Sequence, residues 1–399
     1  MTDPLGKVFL SYKHQDSDLP DLLEETLKNH GIPLWRDLSH LRAAPMHQEL
    51  KNEIRKPEIS GAVVLLSEKV ANSEAILEIE LPTLHERWRE DEAFFTVIAL
   101  YPNLGYTGAK EVLEQAASLY DFSNWHMESL DSSSDDSRRE VVKSVLRERL
   151  DAINESEGPD DPLECSLDTY VEPSYESGLA LEIDWSSYFE QGSPTEKEWN
   201  DYLLPVLADI LNQIKQITPQ RRVVFRGQAH IPASFALGYY TPITSSIQAE
   251  WKTTYSPNDI WSNYQGQQES SLDYELMTES VSNTDLAVLV NITDQVRNEV
   301  ANTKPDLPPF NGVLEFTPDE GTGVHLSSAE ATHAATVFQE GIRDAINELQ
   351  NTTQIHLFMA APTGLAFLLG QRTNTLPPIQ TYILNENDRK YEKAGRLEM

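Results

Sequence analysis

RVVFRGQAHIPASFALG, residues 222–238, returns further along the chain as QIHLFMAAPTGLAFLLG, residues 354–370. Without a gap, Val223 meets Ile355, Phe225 meets Leu357, Ala229 meets Ala361, Phe235 meets Phe367, Leu237 meets Leu369 and Gly238 meets Gly370. The register continues through Thr241 and Thr373, Ile247 and Ile379, and Gln248 and Gln380. Each copy reads as a strand, a loop of small residues, a short helix ending in Leu-Gly, a turn and a second strand. Apolar residues at strand spacing align by chance; Phe-x-Leu-Gly followed by Ile-Gln nine residues beyond the glycine points to duplication. A duplicated α/β unit makes a pseudo-two-fold domain, and open α/β sheets take ligands beyond the carboxyl ends of their strands.

Outward from the repeat, the same alternation covers residues 165–399. The spacing predicts a helix over Leu203–Ile217, strands at Leu286–Val290 and Gly312–Phe316, a long helix over Ala329–Leu349, and a closing strand at Gln380–Leu384. Residues 154–164, opening NESEGPDDP, read as an acidic, Pro- and Gly-containing linker. Residues 1–153 form a first α/β region. Its expected strands are Val8–Tyr12, Ile32–Arg36, Ala62–Leu66, Phe94–Leu100 and Leu119–Phe122. Its first helix would bury Leu19, Leu22, Leu23, Thr26 and Leu27 and stop at Gly31. Strands alternating with helices imply parallel sheets covered on both faces.

The chain has 399 residues, 39% hydrophobic and 24% charged. That length suffices for two or three folded domains. A formal charge of −33 argues against binding DNA, RNA or an anionic membrane surface, which requires a cationic face. It still permits a small anionic ligand, because backbone amides and a few arginines make a local positive pocket. One cysteine, Cys165, leaves no internal disulfide and no cysteine-based zinc site. With no basic, apolar leader, the expected setting is the cytoplasm. No metal or prosthetic group is expected.

VFLSY (Val8–Tyr12), GIPLWRD (Gly31–Asp37), LSHLRAAP, VVLLS and SEAILEIEL (Ser73–Leu81) together resemble a Toll/interleukin-receptor (TIR) domain spanning 1–153. The resemblance implies a flavodoxin-like parallel sheet and, in the family's NAD-cleaving members, one catalytic glutamate. Glu80 falls on that position, with Glu78 the runner-up. The family's Trp-Cys pair is replaced here by Ile76-Leu77. Leu10, Ser11, Tyr12, Trp35, Arg36 and Asp37 are the corresponding NAD-binding candidates. The implied enzyme is an NAD+ nucleosidase releasing nicotinamide and ADP-ribose. The alternative is a TIR module that assembles partners without catalysis.

HLFMAAPTGLAFLLGQ (His356–Gln371) with PIQTYIL resembles the SAVED sensor domain, most strongly over residues 354–385 and more weakly over the first copy. That family is described as two fused CARF-like Rossmann units, in keeping with the repeat. The resemblance implies an activating cyclic oligonucleotide, with cyclic tri-adenylate favoured. The expected contacts are Arg226, Gly227 and Gln228 in copy one, and Ala360, Pro362, Thr363, Gly364 and Arg372 in copy two. Each arginine has the alternative of a surface ion pair. Trp185, Trp199, Trp251 and Trp261 are expected in the core rather than stacked on a base. The combination is identified as a TIR-SAVED effector of cyclic-oligonucleotide-based anti-phage signalling (CBASS). Its implied partners are a cyclic-oligonucleotide synthase and further copies of itself. In a ligand-driven oligomer or filament, residues 38–47 of one chain would complete the next chain's site.

Overall fold

The computed structural model describes residues 1–13, 16, 18–36, 46–102, 104–116, 120–131, 134–158, 160–170, 178–253, 259–280 and 282–398, without the side chains of 46, 47, 115 and 116. The chain divides into two compact units. One comprises Met1–Cys165, Glu176–Asp184 and Asn212–Arg221; the other comprises Ser166–Tyr175, Trp185–Leu211 and Arg222–Met399.

The first unit runs β1 (Lys7–Ser11), α1 (Leu19–Asn29), β2 (Leu34–Trp35), α2 (Met46–Ile54), β3 (Ile59–Leu66), α3 (Leu81–Glu90), β4 (Phe95–Leu100), α4 (Gly105–Ala116), β5 (His126–Ser129) and α5 (Asp135–Ser156). Its five strands are all parallel, in the order β2-β1-β3-β4-β5. Every residue of β3 and β4 is buried, as their unbroken apolar runs require of strands covered on both faces. In α1, Leu19, Leu23, Thr26 and Leu27 are buried, but Leu22 is 38% exposed. It lies one position off the core-facing stripe. Gly31, at φ +83°, ends that helix where a Cβ would lie 2.9 Å from Cβ of Leu181. A left-handed residue closing a helix is the usual place for glycine.

The fifth strand differs from expectation. Tyr120–Phe122 is not a strand; β5 lies at His126–Ser129. Phe122 and Trp125 instead pack edge-on and stacked around the buried His85 ring, at 5.2 and 6.2 Å. The aromatic residues Tyr120 and Phe122, read as part of a strand, supply side chains to the core. On α5, the fully buried Arg149 donates to the carbonyls of Leu5, Gly6, Leu179 and Ala180 and to Ser60 Oγ. With neutral acceptors only, burial pulls its pKa down to about 10, so it stays charged at neutral pH. The expected linker, 154–164, holds the last turn of α5 and the start of β6 (Leu163–Asp168), which is followed by β7 (Leu181–Asp184).

The remaining elements are α6 (Glu196–Glu198), α7 (Leu204–Ile217), β8 (Arg222–Arg226), α8 (Ile231–Tyr240), β9 (Gln248–Lys252), β10 (Ile260–Trp261), β11 (Leu272–Thr278), β12 (Asp285–Asn291), α9 (Arg297–Thr303), β13 (Phe310–Pro318), α10 (Ser328–Leu349), β14 (Gln354–Ala360), α11 (Thr363–Gly370), β15 (Ile379–Asn385) and β16 (Lys390–Leu397). A six-stranded sheet has the order β11-β13-β12-β14-β15-β16, parallel in its middle and closed by antiparallel edges. The series thus extends one strand past Gln380–Leu384: β16 alternates only partly between buried and exposed residues, so its period is weak.

The two copies fold alike. β8, α8 and β9 correspond to β14, α11 and β15, and in each copy the two strands pair in parallel. Copy one pairs Val223 with Ala249 and copy two pairs Ile355 with Ile379. The register differs by an even step, which leaves every side chain on its face. The Phe-x-Leu-Gly motif has a packing cause. A Cβ on Gly238 would sit 2.0 Å from the Phe367 carbonyl oxygen, and one on Gly370 would sit 2.2 Å from the Phe235 carbonyl oxygen. Each copy's glycine admits the other copy's helix backbone, so α8 and α11 meet reciprocally. Among the described residues, no helix is long and apolar enough to cross a membrane.

Candidate functional site

At the carboxyl ends of the first unit's strands, two buried carboxylates are held by two serines. The chain enters α3 through a wide π-helical turn, Ile76–Glu80, whose extra residue turns Glu80 inward and leaves Glu78 exposed. Glu80 is 8% exposed, and Ser11 Oγ, at the end of β1, donates to its Oε2 at 2.5 Å. Ser67, just beyond β3, donates to Asp16 Oδ2 at 2.8 Å. Asp16 is fully buried, with Lys69 Nζ 3.5 Å from its other oxygen. Asp16 is not legible in the sequence, because its position shortly beyond Ser11 carries no periodic signal.

The other first-unit candidates surround this cluster unequally. Leu10 is buried within β1. Trp35 stacks on Phe9, ring centroids 5.2 Å apart. Arg36 lies 4.4 Å over the Tyr12 ring and pairs with Glu24 and with Asp21, the latter at 2.6 Å. Burial opposes the charge of Arg36, yet its bonds to Glu24, Asp21 and Tyr12 outweigh that and hold its pKa above the usual value. Its guanidinium therefore serves an internal ion-pair cluster. Asp37 and residues 38–45 lie outside the described residues, as do the side chains of 46 and 47. A buried carboxylate fixed at the end of a parallel sheet can stabilise positive charge developing on a substrate.

In the second unit the two repeat loops adjoin. Ser234 Oγ, in α8, donates to the Thr363 carbonyl at 2.7 Å, and Thr363 Oγ1 reaches the Ala229 carbonyl at 3.5 Å. The amino-terminal ends of α8 and α11 thus open beside one another, an arrangement suited to an anion. Gln228 is exposed, and Arg226, Gly227, Ala360, Pro362 and Thr363 are partly exposed there. Gly227, at φ +128°, is also required by packing, since a Cβ would lie 2.3 Å from the Leu167 carbonyl oxygen. Gly364 closes against Trp251 and Trp261.

Arg372 faces inward. It is 8% exposed, and its Nε donates to Asn263 Oδ1 at 2.9 Å. Burial lowers its pKa against the attraction of Glu340. Trp185, Trp199, Trp251 and Trp261 are all buried. His230, which carries no motif in the sequence, occupies the position before α8 without a side-chain capping bond and is sandwiched between Tyr170 and Phe189, each 4.3 Å away. Burial holds its pKa down at about 4. Its place just before Ile231-Pro232, a helix-start signal, was the available clue. Among the described residues, no group of three or more His, Cys, Asp or Glu side chains is arranged to hold a metal.

Residues 206–397 match the family model of the SMODS-associated and fused to various effectors sensor domain, SAVED. That stretch is similar to SAVED sensor domains. It is 28% identical over 218 residues to CD-NTase-associated protein 4 of Enterobacter hormaechei subsp. hoffmannii (strain UCI 50), a match covering 52% of this chain and 41% of that protein. The aligned stretch therefore spans well under half of that relative. Two solved structures of an Acinetobacter baumannii Cap4 SAVED/CARF-domain containing receptor share the fold. The one with the cyclic trinucleotide 2'3'3'-cAAA has a TM-score of 0.51 at 14% identity, covering 90% of this chain and 87% of that one. The one with 3'3'3'-cAAA has a TM-score of 0.50 at 15% identity, covering 79% of this chain and 83% of that one.

Proposed function

We propose that this chain is an anti-phage effector in which the SAVED domain binds a cyclic oligonucleotide and thereby switches on NAD+ cleavage by the first unit. The sensor half of the reading is supported by the SAVED match and by the cyclic trinucleotides bound to the similar receptors. The adjoining loops at 226–230 and 360–363 offer helix amides and Arg226 to phosphate groups. The effector half is carried by one observation: the buried Glu80 bonded to Ser11 at the carboxyl edge of a parallel sheet. The strand order 2-1-3-4-5, that of flavodoxin-like doubly wound sheets, agrees with the TIR resemblance.

The chemistry requires a single carboxylate. Nicotinamide is joined to ribose as a cationic pyridinium and departs as a neutral base, so no acid need protonate it. Bond breaking leaves positive charge on the ribose ring. An ionised Glu80 beside that ring stabilises the oxocarbenium-like state and orients the attack of water. Assembly of neighbouring chains, triggered by the messenger, is the expected switch.

The test uses the purified full chain. Nicotinamide release and light scattering are followed with cyclic di-, tri- and tetranucleotides. Messenger-dependent release accompanied by assembly is expected. Messenger-dependent assembly without release would favour the non-catalytic assembly module, consistent with Ile76-Leu77 standing where the family has Trp-Cys.

A further inference from the structure

We infer that Ser11 is a positioning residue for Glu80, fixing the carboxylate through its side-chain hydroxyl rather than touching the substrate. The inference rests on the NAD-cleaving reading above. Glu80 has three side-chain torsions and leaves the backbone from a π-helical turn, a geometry that does not by itself choose an orientation for the carboxylate. Ser11 does. It is the last residue of β1, an inner strand paired in parallel with β2 and β3, and its register partner is Val64. It is 1% exposed, so neither its backbone nor its hydroxyl has room to wander.

The 2.5 Å bond from Ser11 Oγ ties Glu80 Oε2 to the end of an inner strand of the sheet. The neighbouring serine does not share the task, because Ser67 donates to Asp16. Misplacing a reacting group by about 1 Å costs on the order of 100-fold in rate. The hydroxyl therefore acts on the chemical step and leaves substrate binding to other groups.

The experiment compares Ser11→Ala, Ser11→Cys, Ser11→Thr and Glu80→Gln in the full chain activated by cyclic tri-adenylate, measuring kcat and KM for nicotinamide release beside a thermal melt. Loss of a hydrogen bond to a charged group predicts a kcat fall of about 10–100-fold in Ser11→Ala, with KM unchanged. Ser11→Cys, a weak donor of similar size, should fall comparably even if the alanine variant folds poorly. Ser11→Thr keeps the hydroxyl on a strand-compatible side chain and should recover most of the rate. An inactive Glu80→Gln beside wild-type kcat in Ser11→Ala or Ser11→Cys would overturn the positioning role and leave the NAD-cleaving reading standing. A raised KM with unchanged kcat would also overturn it, by making the hydroxyl a substrate contact. Wild-type rates in Glu80→Gln, or no release from the parent protein, would overturn both.

Discussion

Replacing Gly238 by alanine adds one methyl group where the structure has no room for it. That carbon would lie 2.0 Å from the Phe367 carbonyl oxygen, 2.9 Å from its carbonyl carbon and 3.1 Å from the Gln371 nitrogen. Close carbon–oxygen contacts settle at ~3.3 Å, so α8 and α11 must separate by roughly 1.3 Å. All the obstructing atoms are backbone, and no rotamer change relieves them. Overpacking costs ~1–3 kcal/mol, and this site belongs at the upper end. The gain in helix propensity from glycine to alanine returns ~0.8 kcal/mol. The net loss of about 2 kcal/mol corresponds to a fall in Tm of roughly 4–8 °C for a unit of this size. Differential scanning calorimetry resolves the transition, with Gly266→Ala, which meets nothing within 4 Å, as the neutral control. Gly370→Ala should behave similarly, and the double variant should cost less than the sum, because helices parted once accommodate both methyl groups. A Gly238→Ala protein melting within about 1 °C of the parent would refute the account of the repeat's glycines.

Glu80→Gln is expected to lose on the order of 10²–10³ in nicotinamide release. Glu78→Gln alters an exposed side chain and should stay near the parent rate; equal losses would dissolve the distinction. Arg226→Ala should weaken cyclic tri-adenylate binding by about 10–100-fold in calorimetric titration, whereas unchanged affinity would remove the arginine from the site. His230 makes stability depend on pH. Its folded pKa, held at about 4, lies below the unfolded value. The unfolded chain therefore takes up the proton first, and the histidine's contribution is lost as pH falls from ~6.5 towards the folded value. The stability difference between the parent and His230→Gln, from urea midpoints, should shrink across that interval; a constant difference would refute it.

Much of the architecture was legible because burial writes itself into sequence periodically. β3 and β4 are continuous apolar runs because both faces are covered. The repeat was visible because two helices need the same glycine at the same contact. Short or partly solvated elements left weaker marks. Tyr120, Phe122 and Trp125 are aromatic and pack around His85, and such residues alone do not separate a strand from a core-filling loop. β16 is an edge strand with mixed burial, and its period is correspondingly faint.

Sequence alone determined that the chain repeats an α/β unit, that a parallel α/β region precedes it, and that a SAVED-like motif lies near residues 354–385. The first two follow from local periodicity and spacing, which the backbone enforces residue by residue; the third follows from a resemblance to a known family. It left Glu78 and Glu80 as competitors and gave Arg226 and Arg372 the same alternatives. Tertiary structure separated them. A π-helical turn buries Glu80 against Ser11, far away in the chain, and leaves Glu78 in solvent. Arg36 is drawn to Glu24 and Asp21, Arg372 is buried against Asn263, and Arg226 is partly exposed. Such choices depend on which side chains meet across the fold, and no spacing along the chain encodes that.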